Sequence, residues 1–225
     1  MISIPILYEN EEILVINKPF SLPVQGGSGI THSVDTVLPE QTGYPVYLVH
    51  RLDKDTSGVL VAAKSAVSAA KWTRLIASKS VKKEYEAFCI GTMKKPEGFI
   101  DEAIEQRGEE KQARTLYRVI NVYSMNMEAG KETLLFSHIA LTLDTGRMHQ
   151  IRIHLAKQNC PIAADDKYGN FAVNRFIKKN PGIKKLMLTA KKISLPLEGG
   201  IKIIEAQYPP HMSDLGFSDK MVKLS

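Results

Sequence analysis

Residues 50–58 read His-Arg-Leu-Asp-Lys-Asp-Thr-Ser-Gly and run without a break into Val59, Leu60, Val61, Ala62 and Ala63. Five consecutive apolar residues read as a buried strand. Such a strand must be covered by other elements, and it holds the polar turn before it against packed structure. That turn carries Asp53, with Arg51 and His50 within three residues of it. A carboxylate beside fixed cations stays ionised, because the opposite charge favours the charged form. An ionised carboxylate held in this way suits a nucleophile or a base, or it simply caps the turn. The stretch alone leaves both roles open.

The chain has 225 residues, enough for one substantial domain. It has no run of about 18 apolar residues, so no membrane span is expected. Met1 to Leu7 lacks the basic-then-apolar pattern of a signal peptide. Cys89 and Cys160 have no metal-ligand spacing and no partner close in sequence, which fits a cytoplasmic protein with two buried thiols. Positive charge is segregated. Thr145 to Lys192 holds eleven Lys or Arg against Asp165 and Asp166 alone, so that segment is +9 in a chain of net +6. Lys64 to Lys83 adds six basic residues and no acid. Two such blocks suit a polyanion, most simply a nucleic-acid backbone.

Periodicity supplies the elements. Ile6–Tyr8 and Ile13–Ile16 read as a strand pair around a polar turn, closed by Lys18-Pro19. Ala66 to Ile76 has helical spacing. Lys83 to Ile90 alternates, with Tyr85, Ala87 and Cys89 on one face. Thr115–Tyr123 and Leu134–Leu143 read as strands joined by a turn at Gly130. Met148, Ile151 and Leu155 predict a helix stopped by Asn159 and Pro161. Gly169 to Gly182 is loop or short basic helix, and Leu186–Leu195 and Ile201–Ala206 close the sheet. The tail after Pro209-Pro210 is expected to be loosely held. The order predicts one α+β domain over residues 1–225, a mixed, largely antiparallel central sheet with flanking helices.

Three further clusters could carry chemistry. Tyr85 shares its strand face with the small Ala87, which leaves room for a planar group on the ring; it is otherwise core. In Thr145 to His154, His149 and Arg152 lie three apart and would share a helical face. Arg152 suits a buried carboxylate, held bidentately. His149 and His154 are five apart, which no helix or strand places side by side, so no metal is expected there. Asp165 and Asp166 beside Gly169 could hold a metal or pair as acid and base, although turn capping is the simpler role for adjacent acids.

Taken together, these pieces resemble one family. Asn17-Lys18-Pro19, His50-Arg51-Leu52-Asp53 with Thr56-Ser57-Gly58, Lys83-x-Tyr85-x-Ala87, Ala113-x-Thr115, Gly146-Arg147-x-His149-Gln150-Ile151-Arg152-x-His154, and Asp166 with Tyr168-Gly169 at one residue less than the usual spacing occur in order. The chain resembles a pseudouridine synthase of the RluA type from about residue 6 to about residue 208. The resemblance implies the fold read above, with an active cleft across the sheet. It implies that Asp53 is catalytic, that Tyr85 stacks on the target base and takes the proton from ring carbon 5, and that Arg152 pairs with the aspartate. His50, Arg51, Leu52, Lys83, Arg147, His149 and Gln150, which flank these residues in the motifs, are expected at the substrate, with Arg51 entering the helix stack where the uridine leaves. Met148 stands where relatives carry threonine. The pattern begins almost at Met1, so the small RNA-binding domain that precedes it in many relatives is not expected.

The chemistry suits this inventory. Uridine isomerisation needs no redox change and no group carrier, so no cofactor is expected. The partner is ribosomal or transfer RNA, with no membrane and no obligatory protein partner, and the chain is expected to be a monomer. A non-catalytic RNA-binding module or RNA chaperone on the same scaffold is the alternative, although a pure binder gains nothing from a carboxylate facing phosphates. A glycoside hydrolase would need a second acid facing Asp53, and no acid sits in a comparable setting.

Overall fold

A computed structural model describes residues 2–126, 133–179, 183–213 and 222–224. The elements run β1 (Ile6–Glu9), β2 (Ile13–Lys18), α1 (Val34–Thr42), β3 (Tyr47–Leu48), β4 (Ser57–Ala63) and α2 (Ala66–Ala77). They continue with β5 (Lys82–Ile90), β6 (Glu97–Asp101), β7 (Ile104–Gln106), β8 (Glu109–Lys111), β9 (Arg114–Asn126) and β10 (Thr133–Leu143). The chain then forms α3 (Gln150–Lys157), α4 (Phe171–Lys179), β11 (Leu188–Leu197), β12 (Gly200–Glu205), α5 (Pro210–Ser213) and β13 (Val222–Leu224). The strands build a mixed, mostly antiparallel sheet with flanking helices. Contacts divide the chain into two compact units, Met1–Glu84 with Thr189–Pro209, and Tyr85–Leu188 with Pro210–Ser225.

In the first unit the order is β1-β2-β4-β11, with β3 on β4 and β12 on β11. β4 is buried at all seven positions, the five of the apolar run Val59–Ala63 and Ser57 and Gly58 before it. It pairs antiparallel with β2 and parallel with β11. Ile13, Val15, Val59, Val61, Trp72 and Ile193 share one apolar cluster. α2 begins at Ser65, whose hydroxyl accepts the Ser68 N–H at 3.1 Å. The Trp72 indole N–H reaches Glu12 Oε2 at 3.0 Å, so this fully buried ring keeps its polar group satisfied.

In the second unit β9 and β10 form a long antiparallel pair, flanked by β5 on the β10 side and by β6 and β13 on the β9 side. Phe136, Ile139 and Leu141 are buried on β10, and Phe88 stacks on Phe136 at 5.3 Å between ring centroids. The tail is tied down: β13 pairs with β9 through Val222–Ser124, Lys223–Tyr123 and Leu224–Val122, a long-range pairing that local composition does not encode. The turn expected at Gly130 lies outside the described residues. Cys89 and Cys160 are free and buried, and they neighbour each other although 71 positions apart in sequence. No helix of the described residues is long and apolar enough to cross a membrane.

Candidate active site

In the first unit, the Asp53 turn hangs between β3 and β4. The Thr56 N–H donates to the Asp53 carbonyl at 3.1 Å, which closes the turn. Leu52 is buried beneath it, Asp53 is half-buried and Arg51 is exposed. Lys18 props the turn from below. Its side chain is fully buried, and Nζ donates to the carbonyls of Pro19 (2.9 Å), Leu22 (2.8 Å) and Lys54 (2.9 Å). An ammonium has three donors, and here each has an acceptor. Burial pushes the Lys18 pKa down to about 7, opposed by the charges of Asp55 and Asp53. The motif Asn17-Lys18-Pro19 placed this lysine but gave it no task. The available signal was a cation at the end of a strand that opens with four apolar residues.

His50 differs from expectation. Its Nε2 accepts the Val61 N–H at 3.0 Å, so that nitrogen carries no proton. Burial, helped by Lys83, pushes the His50 pKa down to about 3. His50 is therefore neutral and is not one of the fixed cations beside Asp53; it anchors the turn to β4. Lys83 is half-buried, and burial lowers its pKa as well. Gly58 follows at φ +107°, where an added Cβ would lie 2.2 Å from the Ala190 carbonyl oxygen. Only glycine lets β11 run parallel to β4 this closely after the turn.

In the second unit, Arg152 on α3 meets Asp165 bidentately. Nε lies 2.8 Å from Oδ2 and Nη2 lies 2.8 Å from Oδ1, with Asp166 Oδ1 at 3.1 Å from Nη2. The bidentate partner expected for Arg152 among buried carboxylates is thus Asp165. Asp165 also accepts the N–H groups of Lys167 and Tyr168 at 2.9 Å each, so it caps its turn and clamps the arginine at once. Burial favours the neutral acid, but Arg152 and those two N–H donors outweigh it and hold the Asp165 carboxyl below the usual range. The motif register shifts accordingly. Asp165, not Asp166, stands ahead of Tyr168-Gly169 with two residues between, and the irregular spacing disappears. At Gly169 an added Cβ would meet the Asp165 carbonyl oxygen at 2.3 Å, which excludes any other residue.

Tyr168 joins this cluster to His149. Its ring centroid is 5.2 Å from the Arg152 guanidinium carbon, and its hydroxyl lies 2.9 Å from His149 Nδ1. His149 caps α3 at φ 55°, outside the helix, so it and Arg152 meet through Tyr168 rather than on one helical face. Met148 is exposed ahead of the helix. Gln150, expected at the substrate, is committed to the interior. Oε1 accepts from Thr145 Oγ1 (2.7 Å) and the Arg147 N–H (3.0 Å), and Nε2 donates to the Arg114 carbonyl (2.9 Å) and Thr115 Oγ1 (3.0 Å). His154 is fully buried between Thr115 Oγ1 (2.9 Å) and the Glu102 carbonyl (3.0 Å), and burial lowers its pKa. Arg147 is exposed, with Nε on the Gln112 carbonyl at 3.3 Å. Tyr85 is buried on β5 beside Ala87.

Comparison with known proteins gives these clusters a context. Residues 12–157 match the model of a family described as RNA pseudouridylate synthase. A ribosomal large subunit pseudouridine synthase C from Rickettsia prowazekii is 36% identical over 186 residues, 77% of this chain and 59% of the relative. Its counterpart from Rickettsia felis is 34% identical over 224 residues, 93% of this chain and 69% of the relative. A synthase D from Yersinia pestis is 32% identical over 174 residues, 75% of this chain and 53% of the relative. The chain thus spans about three fifths of the length of the curated relatives it matches. The solved structure of human RNA pseudouridylate synthase domain containing 4 superposes with a TM-score of 0.73 at 25% identity, covering 93% of this chain and 90% of that one. With the motifs in order, the fold shared and the family model matched over residues 12–157, the chain belongs to the RNA pseudouridylate synthase family, in its RluA branch.

Proposed function

We propose that the chain isomerises uridine to pseudouridine in structured RNA, with large-subunit ribosomal RNA ahead of transfer RNA as substrate, and that its two units act together as one catalytic domain. Family membership and the names of the relatives support the reaction. The single observation that carries the catalytic assignment is the Asp53 turn, a carboxylate held on a closed turn that a fully buried lysine supports from beneath.

In the reaction the bond from ribose C1′ to uracil N1 breaks, the base turns, a bond from C1′ to C5 forms, the C5 proton is lost to solvent, and N1 takes up a proton from solvent. Asp53 acts on the nucleoside, by attack or by proton abstraction. Tyr85 provides an aromatic face on which a detached base turns without one edge being fixed. Arg152, oriented by Asp165, is the catalytic cation that the family resemblance implies. Arg51 and Arg147, both exposed, contact the RNA. Extruding the target costs a few kcal/mol, which phosphate contacts from the basic segments offset.

The test is tritium release from RNA labelled at uracil C5. Purified chain should release tritium from large-subunit ribosomal RNA in proportion to the pseudouridine formed. Tight RNA binding without release, in RNA from cells lacking the gene, would favour a non-catalytic RNA-binding module instead.

A further inference from the structure

One feature of the second unit has no part in the chemistry above. β10 occupies one edge of β9 along nearly its whole length, so β6 and β13 share the other. β6 reaches Arg118 and β13 begins at Val122 in the β9 register, which leaves Val119, Ile120 and Asn121 between them. The β9–β10 register slips at this point, where His138 faces Asn121 and Ile139 faces Val119, so Ile120 is a β-bulge. Bulges re-aim side chains and interrupt pairing. Over the interruption lies a groove of about 580 Å³ with Val119, Ile120 and Val122 on its floor and Lys94, Lys95 and Lys223 among its lining residues. All three lysines are exposed. Among the described residues no acid lines the groove, and Glu97, just beyond Pro96, pairs with Arg118 in the β6–β9 register. Lys94 and Lys95 come from the β5–β6 connection and Lys223 from β13, more than 120 residues on, so the cluster exists only because β13 docks on β9.

We propose that this groove binds the sugar–phosphate backbone of the substrate RNA beyond the target nucleotide. The inference rests on the RNA substrate proposed above. Three lysines lining one groove, with no acid beside them among the described residues, suit phosphates, and the apolar lining suits the faces of a sugar or an unstacked base. These lysines lie outside both basic segments seen in the sequence, so they add a contact that those segments do not supply.

The full chain and a Lys94→Gln/Lys95→Gln/Lys223→Gln variant are compared for binding to transcribed large-subunit ribosomal RNA across a salt series. The expected result is at least a tenfold weaker Kd near 0.1 M salt. The slope of log K against log salt should fall by about 2, because each single-strand phosphate contact contributes roughly 0.7. The Lys→Arg triple variant should restore both. In turnover the Gln variant should raise KM on long RNA and leave kcat unchanged, and a short RNA of about ten nucleotides around the target should not distinguish it from the parent. An unchanged slope and Kd in a variant of parental Tm overturns the proposal. So does a variant that keeps RNA affinity and loses binding to polyglutamate, which would assign the groove to an acidic protein. Lysine-dependent RNA binding by a parent that never forms pseudouridine would instead overturn the proposed catalytic function.

Discussion

Arg152 and Asp165 form a buried, side-on pair in which Nε and Nη2 each lie 2.8 Å from a carboxylate oxygen, with the arginine side chain 7% and the aspartate 1% exposed. A guanidinium gripped along one edge cannot rotate, so the pair fixes where the arginine aims. Removing one partner of a buried pair typically costs about 3 to 5 kcal/mol, because the other charge is left uncompensated. Asp165→Asn should lower Tm markedly and reduce turnover more than tenfold. Arg152→Lys should fail to restore turnover, because an ammonium cannot reproduce the two-point grip. Thermal unfolding and tritium release check both.

Lys18 is expected to act through the Asp53 turn. Lys18→Met keeps the aliphatic stem and strips three carbonyls of their donor, at about 1 to 3 kcal/mol for each group left buried and unpaired. The variant should bind RNA with near-parental Kd while kcat falls at least tenfold. A parental kcat with lowered Tm would reduce Lys18 to a purely structural role.

The neutral His50 gives a pH dependence of defined sign. Its folded pKa, about 3, lies below the ordinary 6.5. Between those values the unfolded chain takes up a proton that the folded chain refuses. The stability from neutral His50 is therefore complete above pH 6.5 and is lost as pH falls toward 3, with a slope of at most about 1.4 kcal/mol per pH unit. His50→Gln, which retains an acceptor for the Val61 N–H, should flatten that part of a denaturation series run between pH 7 and 4.

Gly58→Ala should be among the most destabilising small substitutions in the chain. The added methyl must fit 2.2 Å from the Ala190 carbonyl oxygen at φ +107°, so strand separation and backbone strain add. A loss of about 3 kcal/mol is expected in denaturant titration.

Much of this arrangement was legible in the sequence, for physical reasons. β4 announced itself as an unbroken apolar run, and β2, α2, β5 and β10 by their periods. What escaped was long-range or conformational. Periodicity does not report that β13 returns to pair with β9. α1 was missed because it is short and carries Pro39 inside it. Asp53 was singled out through its neighbours in sequence, whereas Asp165 was read as half of an acid pair or, more simply, a turn cap, and not as the partner of Arg152, because that bond spans 13 residues. His50 was counted as a cation because composition shows a side chain but not the backbone N–H that holds it neutral. Gln150 was expected at the substrate, yet its side chain is engaged by Thr115, Thr145 and the Arg114 carbonyl, contacts that no local pattern announces.

The most direct measurement is the single-turnover rate of Asp53→Asn on the parent's own RNA substrate, taken alongside its RNA affinity. An amide has the shape of the carboxylate without its charge or nucleophilicity. The account predicts a rate at least ten-thousandfold below the parent, with RNA Kd within threefold and Tm within a few degrees. An Asp53→Asn chain that still converts uridine to pseudouridine at a comparable rate would contradict it.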